Sequence, residues 1–179
     1  MRTSSLRLLL VTAIAVCGAT IPHVASAQLP SPAERVVELN RSGPRFGMTF
    51  LGGSLPDSIQ KVFNLHSKPQ AITQFGWQYE HQFLSFEGGP TAVNEWVVLI
   101  GGLDQGIFIP SLSWIVGLRT PGNMELGVGP NASPAGVGLV LTAGVTQKFG
   151  ALNVPFNMAV VPGRLGTRIS IMTGFNVHH

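Results

Sequence analysis

The sequence is poor in cysteine, in charge and in long apolar runs, and each shortage excludes something. Its one cysteine, Cys17, lies near the N-terminus. The rest of the chain can form no disulfide, so its stability must come from a packed core or from a membrane. Only 11% of the residues are Asp, Glu, Lys or Arg, less than half of the ~25% usual in soluble domains. After Ala27 no stretch reaches the ~18 consecutive apolar residues that a membrane-crossing helix needs. The histidines are scattered as His23, His66, His81 and the terminal pair His178-His179. Ser111, Ser113 and Ser170 fall in alternating segments, but His81 is on the wrong parity to activate any of them. Gly127-Val128-Gly129 and Gly136-Val137-Gly138 lack the strand–helix context of a phosphate loop. No enzyme, no cofactor and no metal site is therefore expected.

The N-terminus reads as an export signal. Arg2 and Arg7 precede the apolar run Leu8 to Ala19, and Ala25-Ser26-Ala27 fits a signal-peptidase site, so residues 1–27 are expected to be cleaved. Removing those two arginines leaves nine basic residues against eight acidic ones, a net charge of +1. The basic character belongs mainly to the leader, and a nucleic-acid partner is not indicated. Residues 28–43 are polar and aperiodic, a tail, and residues 44–177 form the remaining domain.

What is abundant is alternation of period two, the mark of β-strands with unlike faces. Phe46, Met48 and Phe50 open the pattern. "ITQFGWQYEHQF" (Ile72–Phe83) sets Phe75, Trp77, Tyr79, His81 and Phe83 against Gln74, Gly76, Gln78, Glu80 and Gln82. "EGGPTAVN" reads as a loop, and further strands follow over 96–101, 107–119, 124–129, 136–146, 153–160 and 168–177. Turn signals separate them at Thr120–Asn123, Asn131–Pro134 and Pro162–Arg164. Between the first two strands, "SLPDSIQKVFNLHS" changes to helical spacing, with Asp57 as the expected N-cap of a short amphipathic helix over 56–65. The fold class is all-β: an antiparallel up-and-down barrel of eight strands with one short helix after the first.

Such alternation suits two barrels of opposite polarity. A soluble barrel turns its apolar parity inward, whereas a membrane barrel turns it out to lipid and lines its lumen with small or polar residues. Here the other parity is Gly, Ser, Thr, Asn and Gln with isolated charges, unlike the Lys/Glu-rich face that water selects. That choice makes Gln78, Glu80, Gln82, Arg119, Glu125, Asn153, Asn157 and Arg168 the lumen-lining candidates. Phe75, Trp77, Tyr79, Phe83, Trp114, Phe156 and Phe175 become the lipid-facing aromatic candidates, several of them near strand ends as an interfacial girdle requires.

"PSLSWIVGLRTPGNMELGVGPNASPAGVGLVLTAGVTQKFG", with "LNVPFNMAVVP" and "GTRISIMTGFNV", resembles the small outer-membrane β-barrel proteins of Gram-negative bacteria over Pro110 to Val177. The resemblance implies an even-stranded antiparallel barrel in the outer membrane of the cell envelope, with both chain ends in the periplasm. The chain departs from that pattern in ending on Val177-His178-His179 rather than on an aromatic residue. Pro110 and Pro155 fall inside strands, where a closed wall is expected to need bulges. The expected role is structural, anchoring or partner-binding, with a polar-packed interior, outer-membrane lipid around it and room for a protein partner or self-association through the apolar faces. Two alternatives are a narrow porin-like channel for small solutes and a secreted soluble barrel that binds an apolar ligand.

Overall fold

The computed structural model describes residues 41–177. The expected signal peptide and residues 28–40 of the expected tail lie outside the described residues, as do His178 and His179. The elements are β1 (Gly43–Leu51), α1 (Leu55–Phe63), β2 (Ala71–Ser85), β3 (Thr91–Gly101), β4 (Ile109–Arg119), β5 (Met124–Ser133), β6 (Gly136–Phe149), β7 (Leu152–Val161), β8 (Arg168–Gly174) and a two-residue β9 (Asn176–Val177). From β1 to β8 each strand pairs antiparallel with the next, β8 returns to β1, and β9 continues the β8 side of the ladder by pairing with β7, so the wall is a closed eight-stranded barrel. No helix among the described residues is long and apolar enough to cross a membrane, which says nothing of strands.

The registers fix the geometry of closure. Stepping between paired residues from Gly43 leads through Gln78, Val97, Ser113 and Asn131 to Gly138 on β6. Stepping the other way, two places beyond the last β1–β8 partners in the same register, leads to Asn176, Asn153 and then Lys148, ten residues from Gly138 on the same strand. A stagger of ten over eight strands, with ~3.3 Å per residue and ~4.8 Å between strands, tilts the strands by roughly 40°.

Seven connections divide between two mouths. The described chain ends and the turns 86–90, 120–123 and 150–151 lie at one, the terminal mouth. The helix-bearing connection 52–70 and the loops 102–108, 134–135 and 162–167 lie at the other, the helix mouth.

Alternation carries through every strand, and its sense is inverted relative to a soluble barrel. Phe46, Trp96, Leu112, Leu126, Leu139, Met158 and Ile171, one from each of seven strands, are exposed, and on β2 so are Phe75, Trp77 and Tyr79. The inward parity holds buried Arg45, Gln78, Glu80, Glu95, Arg119, Asn131 and Asn153.

Four details differ from the sequence reading. First, β3 begins at Thr91, so "TAVN" belongs to a strand. Thr91 pairs with Ser85 and Arg119, and this continues both ladders. Second, Asn131 to Ser133 continue β5 instead of turning, because they pair with Gly138 to Gly136 on β6 and Asn131 has inward partners. Third, α1 is capped at Ser54, not Asp57. Pro56, which needs no backbone donor, occupies the first turn, and Asp57 follows it where a carboxylate suits the helix dipole. Fourth, Trp96 does not open its strand. Trp96 and Trp114 stand at the midpoints of β3 and β4 and pair directly, with ring centroids 6.2 Å apart, while Tyr79 pairs with Trp96.

The prolines are accommodated without bulges. Pro110 lies beyond the last β4–β5 partners, so on that side it has no ladder bond to lose. At Pro155 pairing stops after Phe156↔Thr173 and resumes at Asn153↔Asn176 in the same register, with the Thr173 hydroxyl donating to the Pro155 carbonyl. Phe175 sits in that gap, exposed. A third strand proline, Pro130, accompanies a similar break in β4–β5 pairing. There the backbones approach so closely that a Cβ on Gly129 would lie 1.8 Å from the Trp114 carbonyl oxygen, so only glycine fits. The register shift that does occur is at Phe83, between Gln82 and Leu84.

Candidate functional site

The barrel interior is stacked in bands of unlike chemistry. Nearest the terminal mouth is a charged network built by register. β2–β3 pairing sets Glu80 opposite Glu95, and β4–β5 pairing sets Arg119 opposite Glu125. Arg119 grips Glu80 with two parallel bonds, Nη1 to Oε1 at 2.7 Å and Nη2 to Oε2 at 2.5 Å, and its Nε donates to Glu125 Oε2 at 2.9 Å. The Arg119 and Glu80 side chains are 6% and 1% exposed, so this is a desolvated, bidentate pair. Gln82 Nε2 also donates to Glu80. Gln78 bridges the rest, accepting from Arg45 Nε at 2.9 Å and donating to Glu95 Oε1 at 2.5 Å. Arg45 is 2% exposed and continues to the Asn176 side chain and to the carbonyls of Pro44 and Arg41.

A second polar band lies toward the helix mouth. Arg168 donates to Ser133 Oγ at 2.5 Å and to Asn131 Oδ1 at 2.9 Å, and Asn131 Nδ2 donates to Ser111 and Ser113, each at 2.9 Å. Thr49 hydrogen-bonds Gln74 and Ser170 in the same band. Apolar side chains, Val97, Leu99, Ile115, Val140, Val161 and Met172, complete the middle of the barrel. A cavity of about 70 Å³ runs between these groups and is lined by both polar and apolar side chains. Its volume admits a few waters and no larger ligand. At the helix mouth Leu51, Leu55, Ile72, Ile107 and Ile109 form an apolar cluster, with Ile59, Phe63 and Leu65 packed against them. Beside it a second cavity of about 240 Å³ lies between Leu55, the loops 134–135 and 162–167, and Arg168. The exposed apolar residue of α1 is Val62, on its outer side.

All eight lumen candidates point inward. Gln78, Glu80, Gln82, Arg119 and Asn153 are buried, and Glu125, Asn157 and Arg168 are half-buried. Gln78, Glu80, Gln82, Arg119 and Glu125 meet in the terminal band, and Arg168 joins the other. Asn157 lines both the cavity and the terminal mouth. Asn153 is inward beside the turn 150–151. The seven aromatic candidates Phe75, Trp77, Tyr79, Phe83, Trp114, Phe156 and Phe175 are exposed, at 41–55%.

Sequence reasoning missed Arg45, Glu95 and Asn131, which are as buried as the residues it found, and Arg41, which lies in the expected tail yet is 6% exposed. Arg45 and Glu95 share the inward parity of their strands, and that parity was the available signal. The sequence also gave no hint of clustered carboxylates, but ligand oxygens of Glu80, Glu95 and Glu125 come within 4.8 Å of one another. That spacing suits a cation, and Arg119 already supplies one to Glu80 and Glu125. The described residues thus form a balanced ionic plug at one mouth and an apolar cluster beside a cavity at the other.

No protein-family model matches the chain, and neither a curated protein nor a solved structure matches it.

Proposed function

We propose that the chain is a small outer-membrane β-barrel of a Gram-negative cell envelope, with a structural, anchoring or partner-binding role. The observation that carries this reading is the inverted wall: all eight strands turn large apolar side chains outward while charges and amides are buried within. A continuous apolar surface of that extent needs a cover, since soluble monomers expose contiguous patches of only a few hundred Å². Dimensions agree with lipid as the cover. Strands of ten or eleven residues tilted by roughly 40° rise about 25 Å, the height of the apolar band of outer-membrane barrels. A closed wall also leaves no strand edge unpaired in hydrocarbon.

The interior supports a filled barrel over a channel. The ionic network fills the lumen at the terminal mouth, and the central cavity behind it is only about 70 Å³. It supports a soluble ligand carrier still less, because an apolar ligand would meet Asn131, Ser113 and Gln78. Within this reading the partner-binding face is the β2–β4 wall. There Tyr79, Trp96 and Trp114 adjoin Asn94, and rings with polar handles are the residues that protein interfaces enrich.

Detergent dependence tests the proposal. The chain without residues 1–27 should partition into membranes and stay monodisperse only in detergent. Lipid-borne quenchers should dim the Trp77, Trp96 and Trp114 fluorescence. Monodisperse behaviour in plain buffer, with unquenched tryptophans, rejects it.

A further inference from the structure

The ionic network at the terminal mouth leaves two donors over. Arg41 Nη1 and Asn176 Nδ2 are buried, and neither meets an acceptor among the described residues. Arg41 and Asn176 are only 6% and 4% exposed, so bulk water does not satisfy them. A buried donor left unpaired is costly, and a charged one more so. The amide orientation of Asn176 is not arbitrary: its Oδ1 accepts from Arg45 Nη1, and turning the amide over would set two donors against each other. Its Nδ2 is therefore a fixed donor. Arg41 is fixed too, through Nη2 on Asn123 Oδ1 at 2.8 Å.

Both residues line one void of about 10 Å³, whose wall includes Arg45, Arg119, Glu80 and Glu125. That is room for a single water- or halide-sized body. Charge decides between the two. Three guanidinium groups and two carboxylates line the void. The third carboxylate of the network, Glu95, does not line it and is tied to Arg45 through the Gln78 amide. Arg119 is spent on Glu80 and Glu125, whereas Arg41 and Arg45 donate only to amide and carbonyl oxygens among the described residues. Two unused donors beside two guanidinium groups that touch no carboxylate call for an acceptor that is itself negative.

We infer that the terminal mouth carries a binding site for one monatomic anion of chloride size, held by Arg41 Nη1 and Asn176 Nδ2. Arg41 precedes β1 and Asn176 belongs to β9, so the ion clips together the two ends of the barrel wall.

Two measurements on the full chain without residues 1–27, in detergent, test the site. In crystals grown with sodium bromide, an anomalous peak should lie between Arg41 and Asn176. At constant ionic strength, the thermal midpoint should rise by roughly 3 °C or more and saturate when chloride replaces gluconate, which is too large for the void. Asn176→Asp keeps the acceptor for Arg45 and supplies the missing negative charge in place. It should fold normally and lose the chloride response, as should Arg41→Met. If Arg41→Met does not fold, the bromide map and Asn176→Asp still decide. A bromide signal confined to the outer surface, equal midpoints in chloride and gluconate, or an undiminished chloride response in Asn176→Asp overturns the inference.

Discussion

The two mouths of this barrel are held by opposite means. At the helix mouth, α1 lays Leu55, Ile59 and Phe63 over Leu51, Ile72 and Ile109, and cohesion depends on area and fit. At the terminal mouth, closure is ionic: Arg119 holds Glu80 and Glu125, and Gln78 links Arg45 to Glu95. An apolar cluster loses stability in proportion to the surface removed, so it weakens by degrees. A buried ion pair adds little net stability when whole, yet removing one partner strands the other charge. One mouth is graded and the other is brittle.

Substitutions can break that contrast in order of size. Arg119→Met should be the most damaging, lowering unfolding free energy by about 3–5 kcal/mol in urea titrations, because Glu80 is left buried without a counter-charge. Ile72→Ala at the other mouth should cost roughly 3 kcal/mol, with no dependence on salt. Arg119→Lys separates charge from geometry. It keeps the cation, loses the two-pronged grip on Glu80, and should cost about 2 kcal/mol. Arg168→Ala, in the half-buried band between the mouths, should cost about 1 kcal/mol and leave planar-bilayer conductance at background, where a pore would change its ion selectivity. Val62→Ser, on the outer side of the helix, should fall within about 0.5 kcal/mol of the parent protein. If Arg119→Met and Val62→Ser came out equal, the ionic mouth would not be a closure at all.

How much of this was legible beforehand follows from the range of each interaction. The barrel class and the inward row Gln78, Glu80 and Gln82 were readable because the period-two pattern is local to each strand. Grouping Glu80, Glu95 and Glu125 requires knowing which residue of β3 faces which of β2, and that register is set by the whole wall. Asn131 was misread for a related reason. Its neighbours Pro130, Ser133 and Pro134 have turn chemistry, but pairing with β6 and bonds to Ser111, Ser113 and Arg168 outweigh it. The midpoint position of Trp96 was hidden because β3 starts earlier than its apolar run, and a strand's centre moves with its ends. Arg41 was hidden because nothing in a polar, aperiodic stretch distinguishes a side chain that enters the mouth from one that does not.

The pairing of Arg45 with Gly174 joins segments from nearly opposite ends of the described chain. Every other seam in the wall links consecutive strands. Seven hairpin-like pairings can therefore form from nearby sequence, while the eighth must gather its partners across the greatest chain separation and bear the largest loss of chain entropy. Until β8 has been synthesised, β1 keeps a bare edge with the Phe46–Phe50 face beside it. The open sheet therefore has one fixed sticky edge, β1, and one that moves with each new strand, and a holding chaperone or a surrogate strand can guard the fixed one throughout.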